Sequence, residues 1–220
     1  MRHQASKSIL HDLYRRYVAD QDCARFASAV IGKYTVGTLE RLVQESDRMT
    51  RRAAALALGL IADFGSNAAL AKALNDSDRG VRMLAETGIQ QLWHRTGSPV
   101  ERKRLRRVAE LVARRRYADA IQHATRLIDE VPKLAEAWNQ RAVALFGVGR
   151  YRESIDDCQR ALQMNPYHFG AASGMGHGML KLGNRQAALE CFRRALKLNP
   201  NLEGIRAQIV YLQRSLNSQD

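Results

Sequence analysis

The sequence contains little proline, cysteine or aromatic residue. Its 220 residues include four Pro and three Cys, and aromatic residues make up 6%. This composition is lean for an all-β protein and ordinary for a helical one. Cys23, Cys158 and Cys191 are widely spaced and form no CxxC pair. We therefore expect reduced core thiols rather than a metal site or a catalytic thiol.

Long apolar runs are also missing. The longest nearly apolar stretch, residues 53–62, is too short to span a bilayer, which takes about 20 residues. The first residues lack the apolar core of a signal peptide. We expect a cytoplasmic protein with no insertion into a membrane.

No pattern of a catalytic site is present. The motifs GxGxxG, GxxxxGK[ST], HExxH and GxSxG do not occur, and no His is followed by Glu. The adjacent acids Asp156 and Asp157 diverge by about 100° on a helix, so they form a solvated face rather than a catalytic pair. We expect no catalytic residue, no metal and no cofactor.

Positive charge is abundant and concentrated in one stretch. Lys and Arg number 35 against 22 acidic residues, a net charge of +13. Besides Arg104, the cations of residues 102–116 are Arg102, Lys103, Arg106, Arg107, Arg114, Arg115 and Arg116. The stretch is consistent with a solvated helix face, a docking site for an acidic protein or a nucleic-acid site. Nucleic-acid binding by these cations would be sensitive to salt, and no aromatic residue lies among them to stack on a base.

A 34-residue repeat organises the C-terminal half. Pro132, Pro166 and Pro200 are each 34 residues apart. The repeat gives three units in register: 101–134, 135–168 and 169–202. Small residues recur at the eighth and twentieth positions, where the two helices of a unit can approach closely. An apolar stripe after Pro200 predicts an amphipathic capping helix at 203–216.

These units resemble the tetratricopeptide repeat (TPR) family over residues 101–200. Trp138, Gly149 and Tyr151 supply further family residues in the second unit, whereas Arg104 and Arg107 replace the family's Trp and Leu in the first. The resemblance implies an all-α solenoid of helix-turn-helix repeats. It also implies that partner peptides bind on the concave side, which the first helix of each unit lines.

The same resemblance implies which residues form the groove. They are Arg102, Leu105, Ala109, Val112, Glu136, Asn139, Val143, Phe146, Ser173, His177 and Lys181. Asn139 is the best placed, since its amide could bind a ligand backbone as both donor and acceptor.

One TPR subclass grips the C-terminal carboxylate of heat-shock chaperones with Lys, Asn and Arg side chains. The corresponding positions here hold none of those types: Leu105, Ala109, Gln140, Gly170 and Gly174. The sequence therefore disfavours that type of chaperone binding.

Glycine is concentrated in the first helix of the third unit, at Gly170, Gly174, Gly176 and Gly178. Each costs up to about 1 kcal/mol of helix stability relative to Ala. The glycines indicate either tight packing between helices, a locally loose helix, or a shallow floor that a partner's backbone approaches closely.

A second repeat, of 31 residues, occupies residues 38–95. It aligns Leu39 with Leu70 and Asp47 with Asp78. Each unit is a short helix, a turn and a longer helix, which resembles HEAT repeats. The resemblance predicts two ion pairs between a turn acid and a later Arg: Glu45 with Arg51 and Asp76 with Arg82. An earlier, degenerate helix pair is predicted from Ile9, Leu13, Tyr17, Phe26 and Val30.

The sequence thus predicts an all-α chain with HEAT-like repeats at 1–97 and a TPR domain at 98–220, separated by the helix break Thr96–Pro99. The function that we expect is a non-catalytic adaptor that binds a peptide or helix of another protein. The alternatives are binding of nucleic acid or an acidic partner at 102–116, and a HEAT-type modifying enzyme or lyase.

Overall fold

The computed structural model of the protein describes residues 9–217, and all regular structure in that range is helical. Within these described residues, thirteen α-helices and one short 3-10 helix confirm the predicted all-α class and its helix-turn-helix repeats. Contacts divide the chain into two compact units, one ending at Leu92 and the other beginning at Trp93. None of the described helices is long and apolar enough to cross a membrane.

The first unit is built from consecutive short helices, several of which begin at a side chain that caps them. Its helices are α1 (Ile9–Asp20), α2 (Cys23–Ile31), α3 (Val36–Glu45), α4 (Arg48–Ile61), the 3-10 helix Phe64–Ser66, α5 (Asn67–Ala73) and α6 (Arg79–Arg95), whose last three residues belong to the second unit. Asp22, Thr35 and Asp47 each accept a hydrogen bond from a backbone N–H in the first turn. These caps satisfy donors that a helix leaves open at its start.

The predicted apolar stripe of α1 is shifted by one residue. The prediction placed Ile9 in the core, but Ile9 is 56% exposed and the buried residues are Leu10 and Tyr14. Both stripes have helical spacing, and the packing of α1 against α2 and α4 selects the second. Phe26 and Val30 of α2 are buried, as predicted.

Helices α4 and α6 touch backbone to backbone. A Cβ atom on Gly59 would lie 2.7 Å from Cα of Gly88, and one on Gly88 would lie 2.8 Å from Cα of Gly59. Glycine therefore permits the close approach at this crossing, which buries the alanine-rich stretch 53–57 of α4.

The ion pairs of the first unit differ from the predicted ones. Arg51 binds Asp76 through two hydrogen bonds, of 2.7 and 2.9 Å, and Arg52 binds Asp78 in the same way at 2.7 and 2.8 Å. Arg82 donates to the backbone carbonyls of Asp76 and Ser77. The predicted pairs of Glu45 with Arg51 and of Asp76 with Arg82 are wrong, because the turn before α6 lies beside the first turn of α4. The acids of one repeat thus bind the arginines of the repeat before it.

The second unit consists of three helix pairs and a final helix. The pairs are α7 (Pro99–Ala113) with α8 (Tyr117–Glu130), α9 (Ala135–Gly147) with α10 (Tyr151–Met164), and α11 (Phe169–Lys181) with α12 (Arg185–Leu198); the last helix is α13 (Glu203–Asn217). Ser98 and Glu101 form a reciprocal capping box at the start of α7, with Pro99 in the first turn. Ile205, Ile209 and Leu212 of α13 are buried against the last pair.

Small side chains allow the helices of each pair to approach, as predicted. Val108 and Ala120 are fully buried in the first pair, and Ala142 and Ser154 are 1% exposed in the second. Ser154 satisfies its hydroxyl by donating to the carbonyl of Ala142 (2.8 Å). Burial of such residues removes apolar surface from water without forcing the helices apart.

The boundary between the compact units lies five residues before the predicted one. The helix break at Thr96–Pro99 suggested a division after residue 97, but Trp93 already belongs to the second unit. Its ring stacks on His168 with centroids 4.2 Å apart and contacts Phe169 at 5.0 Å. These contacts place Trp93 with the second unit.

Candidate functional site

A cavity of about 380 Å³ lies between α9, α10 and α11 of the second unit. Its lining residues are Asn139, Ala142, Val143, Phe146, Ser154, Cys158, Gly170, Ser173, Gly174 and His177. Most of the lining is apolar, with a few polar atoms, which is the composition typical of a site for a side chain or small ligand.

Five of the predicted groove residues line this cavity. Asn139, Val143 and Phe146 are on α9, whereas Ser173 and His177 are on α11. Val143 is 44% exposed. The 34-residue register places the two helices side by side, so residues at equal positions in the repeat face the same opening.

The other predicted groove residues lie elsewhere. Leu105 is fully buried and packs against Leu127 and Ile128, so it cannot reach a ligand. Val112 packs partly buried beside the core residues of α7, and Ala109 lies on that helix too, outside the cavity lining. Their helix takes no part in forming this cavity.

Three charged residues of the predicted groove also lie outside the cavity lining. The Arg102 guanidinium donates to the carbonyl of Gly97 (2.8 Å). Lys181 is exposed at the end of α11. Glu136 is 4% exposed, so its assignment to the groove surface is wrong: burial is possible because its carboxylate is satisfied inside the protein.

Glu136 is the acceptor at the centre of a buried hydrogen-bond network. It binds Nε2 of His168 (2.9 Å), Nε2 of Gln140 (2.7 Å) and Nδ2 of Asn139 (3.3 Å). Burial alone would raise the pKa of Glu136, but the hydrogen bonds from His168 and Gln140 hold it below its usual value. The carboxylate therefore stays ionised. The hydrogen bond that Asn139 donates to it fixes the orientation of the Asn139 side chain.

His168 links this network to the start of α11. Its Nδ1 accepts the backbone N–H of Ala171 (3.1 Å), so the proton of the neutral ring is on Nε2 and faces Glu136. His168 is 1% exposed. The second and third repeats are thus joined by a histidine that is both a helix cap and a partner of a buried acid.

Ser173 and His177 add the polar atoms on the other side of the cavity. The Ser173 hydroxyl donates to the carbonyl of Phe169 (2.9 Å), which leaves its oxygen lone pairs free to accept. His177 contacts Phe192 edge to face at 5.0 Å. Burial lowers the pKa of His177, which favours the neutral ring near pH 7.

Two of the four glycines of α11 permit tight packing between helices, and the other two line the cavity. A Cβ on Gly176 would lie 2.4 Å from the Phe192 ring, and one on Gly178 would lie 2.6 Å from Ile155. These two permit tight packing. Gly170 and Gly174 line the cavity instead, and a Cβ on Gly174 would lie 2.9 Å from Sγ of Cys158.

Sequence reasoning did not assign Ala142, Ser154 or Cys158 to the groove, and Cys158 is the one thiol among the lining residues. It lies on α10, a second helix of a pair, whereas the family comparison considered first helices only. It reaches the cavity because Gly174 has no side chain to cover it. Burial raises the pKa of the Cys158 thiol to about 12, so the thiol is an apolar part of the lining rather than a nucleophile.

The basic stretch is partly neutralised by neighbouring acids. Arg104 binds Glu130, Arg107 lies 3.5 Å from Glu110, and Arg116 lies 2.7 Å from Asp119. The exposed cations that form no ion pair with a described residue are Lys103, Arg106, Arg114 and Arg115. Tyr117, next to the stretch, packs against the apolar cluster between α7 and α8.

Residues 9–217 contain no group of three His, Cys, Asp or Glu side chains that could hold a metal ion.

Known proteins share the repeats of the second unit. Residues 135–168 and residues 170–202 each match the Tetratricopeptide repeat family. A TPR repeat-containing protein of Rhizobium etli is 29% identical over 141 residues, which cover 64% of this chain and 68% of that protein. DnaJ homolog subfamily C member 7 of Homo sapiens is 34% identical over 87 residues, which cover 40% of this chain and 18% of that protein.

A solved structure shares the fold. The first TPR of Spaghetti (RPAP3), bound to an HSP90 peptide, is 21% identical to this chain and aligns with a TM-score of 0.51. The alignment covers 53% of this chain and 93% of that one. The two family matches show that residues 135–168 and 170–202 of this chain are tetratricopeptide repeats.

Proposed function

We propose that the protein is a non-catalytic adaptor that binds a segment of a partner protein in the groove of its TPR domain. The observation that carries the proposal is the cavity between α9 and α11. It is open, mostly apolar and lined from two adjacent first helices, where Val143 remains exposed. An exposed apolar side chain at the mouth of a cavity gains free energy when a partner covers it.

The chemistry of the cavity favours binding over catalysis. Its one thiol is buried and protonated, and the hydroxyls of the lining residues Ser173 and Ser154 donate to backbone carbonyls rather than to His177. We therefore propose that the cavity is a peptide-binding site.

The partner segment that we propose differs from the chaperone tail bound by the RPAP3 domain. Binding of a terminal carboxylate calls for several cationic donors in the groove. The positions that would supply them here include fully buried Leu105 and the glycines Gly170 and Gly174. The HSP90 peptide SRMEEVD is thus a useful negative probe.

Peptide selection tests the proposal directly. A random peptide library displayed on phage is selected against the full chain, and enriched peptides are resynthesised with fluorescein for anisotropy measurements. Val143→Glu should abolish binding, because it places a charge at the apolar mouth of the cavity. Val148→Glu is the matched control: Val148 is 45% exposed against 44% for Val143, follows the same helix, and does not line the cavity.

Two outcomes would refute the groove. One is a selection that yields no binding peptide. The other is a set of peptides that bind both variants equally. Circular dichroism of the two variants, which should keep the helical signal of the parent, separates loss of binding from loss of fold.

A second proposal concerns the exposed cations of the basic stretch. We propose that Lys103, Arg106, Arg114 and Arg115 attract acidic residues of the partner rather than nucleic acid. The support is that no aromatic residue lies among these cations, and that the neighbouring Tyr117 packs, partly buried, against the apolar cluster. Labelled RNA and DNA should show no binding at low salt, and salt-dependent binding of either would favour the nucleic-acid alternative.

We also propose that α3–α6 form two HEAT-like units. The support is the 31-residue spacing of Asp47 and Asp78, both of which accept hydrogen bonds from the first turn of a long helix.

A further inference from the structure

The buried carboxylate of Glu136 determines whether Asn139 offers a hydrogen-bond donor or an acceptor to the cavity. An ionised carboxylate only accepts hydrogen bonds, so the part of Asn139 that faces Glu136 has to be its NH₂ group. The Asn139 carbonyl oxygen, Oδ1, lies on the opposite branch of the amide. It is 3.9 Å from the point where Gly170, a cavity residue, would carry a Cβ. Asn139 therefore presents an acceptor to the cavity.

The Asn139 amide is held in this one orientation. A rotation that exchanged the two ends of the amide would place Oδ1 against Oε1 of Glu136, two acceptors in contact. The carboxylate cannot turn away, because His168 and Gln140 hold its two oxygens at 2.9 and 2.7 Å. The sequence-based expectation that Asn139 offers both a donor and an acceptor to a ligand is thereby reduced to the acceptor.

Ser173 has the same polarity. Its hydroxyl proton is directed to the carbonyl of Phe169, so only lone pairs remain for a ligand in the cavity. Ser173 and Asn139 lie on opposite helices, α11 and α9, and both line the opening. A group that enters between them meets acceptors from two sides.

The charged side chains of the first helices, in contrast, favour negatively charged groups of a ligand. The three first helices, α7, α9 and α11, contain seven Lys or Arg residues and three Glu, whereas α8, α10 and α12 contain seven of each sign. None of the three glutamates is free, because Glu101 caps α7, Glu110 pairs with Arg107, and Glu136 is buried. Three of the seven cations are also paired with acids, which leaves Arg102, Lys103, Arg106 and Lys181. The first-helix side of the domain is therefore positive outside the cavity.

We propose that the cavity takes one uncharged apolar side chain from an internal segment of a partner peptide. In this arrangement the backbone N–H groups beside that side chain donate to Oδ1 of Asn139 and Oγ of Ser173. Acidic residues flank the segment and face the cations of the first helices. A terminal carboxylate is excluded from the cavity, because it would meet two acceptors. This inference rests on the proposed peptide-binding function and defines the chemistry of its ligand.

The test uses the full chain and peptides obtained by phage selection, resynthesised as fluorescein-labelled C-terminal amides. Only peptides that lose binding to Val143→Glu and keep it with Val148→Glu are used. Each is methylated in turn on every backbone nitrogen, which removes one N–H donor at a time. A further form ends in a free carboxylate directly after its apolar anchor residue.

We expect N-methylation at one or two positions beside the anchor to weaken binding about tenfold, the value of one lost hydrogen bond. Ser173→Ala should weaken the parent peptide by a similar factor and leave the correspondingly methylated peptide unchanged. Ser215→Ala is the matched control, because Ser215 also donates to a carbonyl of its own helix but lies on α13. The carboxylate form should bind more weakly than the amide.

The inference is overturned if no methylation changes the Kd by more than about twofold, or if the free carboxylate binds more tightly than the amide. Both results leave the peptide-binding function standing. If the selection yields no peptide that distinguishes Val143→Glu from Val148→Glu, the proposed function fails and the inference fails with it.

Discussion

Single residues in the second unit have roles that depend on partners far away in the sequence. Glu136 is the clearest case. Its position in the repeat indicates a groove residue, yet it is buried and bound to His168, which lies 32 residues further along the chain. An acid in the core is stable only when its oxygens are satisfied, and here three side chains satisfy them. The residue orients Asn139 and joins two repeats.

This role predicts a pH-dependent cost for Glu136→Gln. Near neutral pH the substitution should destabilise the protein by about 1–3 kcal/mol, because hydrogen bonds to a charged acceptor are replaced by weaker ones. The pKa of Glu136 is lowered in the folded state. The stabilisation from its ionised form is therefore complete above the unfolded value of 4.5 and is lost as the pH falls through the folded value.

Urea unfolding of both proteins from about pH 6 to about pH 3 measures this effect. The difference in unfolding free energy should narrow at the acidic end, where the wild-type carboxyl is also neutral. Glu153→Gln is the control, since Glu153 forms an exposed pair with Arg150, and exposed pairs contribute little. A difference that stays constant with pH would contradict the prediction.

At the scale of the helix, α11 shows why a sequence can keep glycines at a cost in helix stability. Gly176 occupies the small position of the repeat, and the Phe192 ring fills the space beside it. Phe192 is fully buried at the centre of the cluster formed by α9–α13. The absence of a side chain on one helix therefore makes room for the largest side chain on its partner.

Gly176→Ala should destabilise the protein by about 1–3 kcal/mol. A Cβ would lie 2.4 Å from the Phe192 ring, and overpacking of this kind outweighs the gain of up to about 1 kcal/mol in helix propensity. Gly204→Ala is the matched control on α13, where a Cβ meets nothing within 4 Å, and it should be neutral or slightly stabilising. The melting temperatures of the two variants are compared by thermal unfolding. Equal melting temperatures would refute the prediction.

For the whole molecule, the division into two compact units is decided at the end of one helix. α6 begins in the first unit, but Trp93, near its C-terminus, stacks on His168 and contacts Phe169 of the second. Trp93 is 4% exposed, so its contribution to stability is that of a core aromatic residue.

Trp93→Ala should therefore destabilise the second unit by about 3–5 kcal/mol, the usual cost of removing a buried aromatic ring. Hydrogen exchange with mass spectrometry can locate the effect: amides of α9 and α11 should exchange faster, with α3 and α4 unchanged. Gln91→Ala, an exposed residue of the same helix, is the control. Equal acceleration in α3 and α4 would contradict the prediction, because the effect of the substitution would then not be specific to the second unit.

The sequence by itself determined the repeat architecture of this protein. Prolines at a fixed spacing and small residues at fixed positions specify helix length, turn and close approach, and these are local properties of the chain. Asn139, Val143 and His177 could be named as lining residues because the repeat places equal positions on equal faces.

Only the tertiary structure decided how the side chains are used. The bond between Glu136 and His168, the pairing of Arg51 with Asp76, and the entry of Cys158 into the cavity all bring together residues from different helices or from a helix and a turn. A periodic pattern gives the face on which a residue lies. It does not give the distance to the neighbouring helix or the chemical group that the residue contacts on that helix. Hydrogen bonds require that distance to within a few tenths of an ångström, and the packing of whole helices sets it.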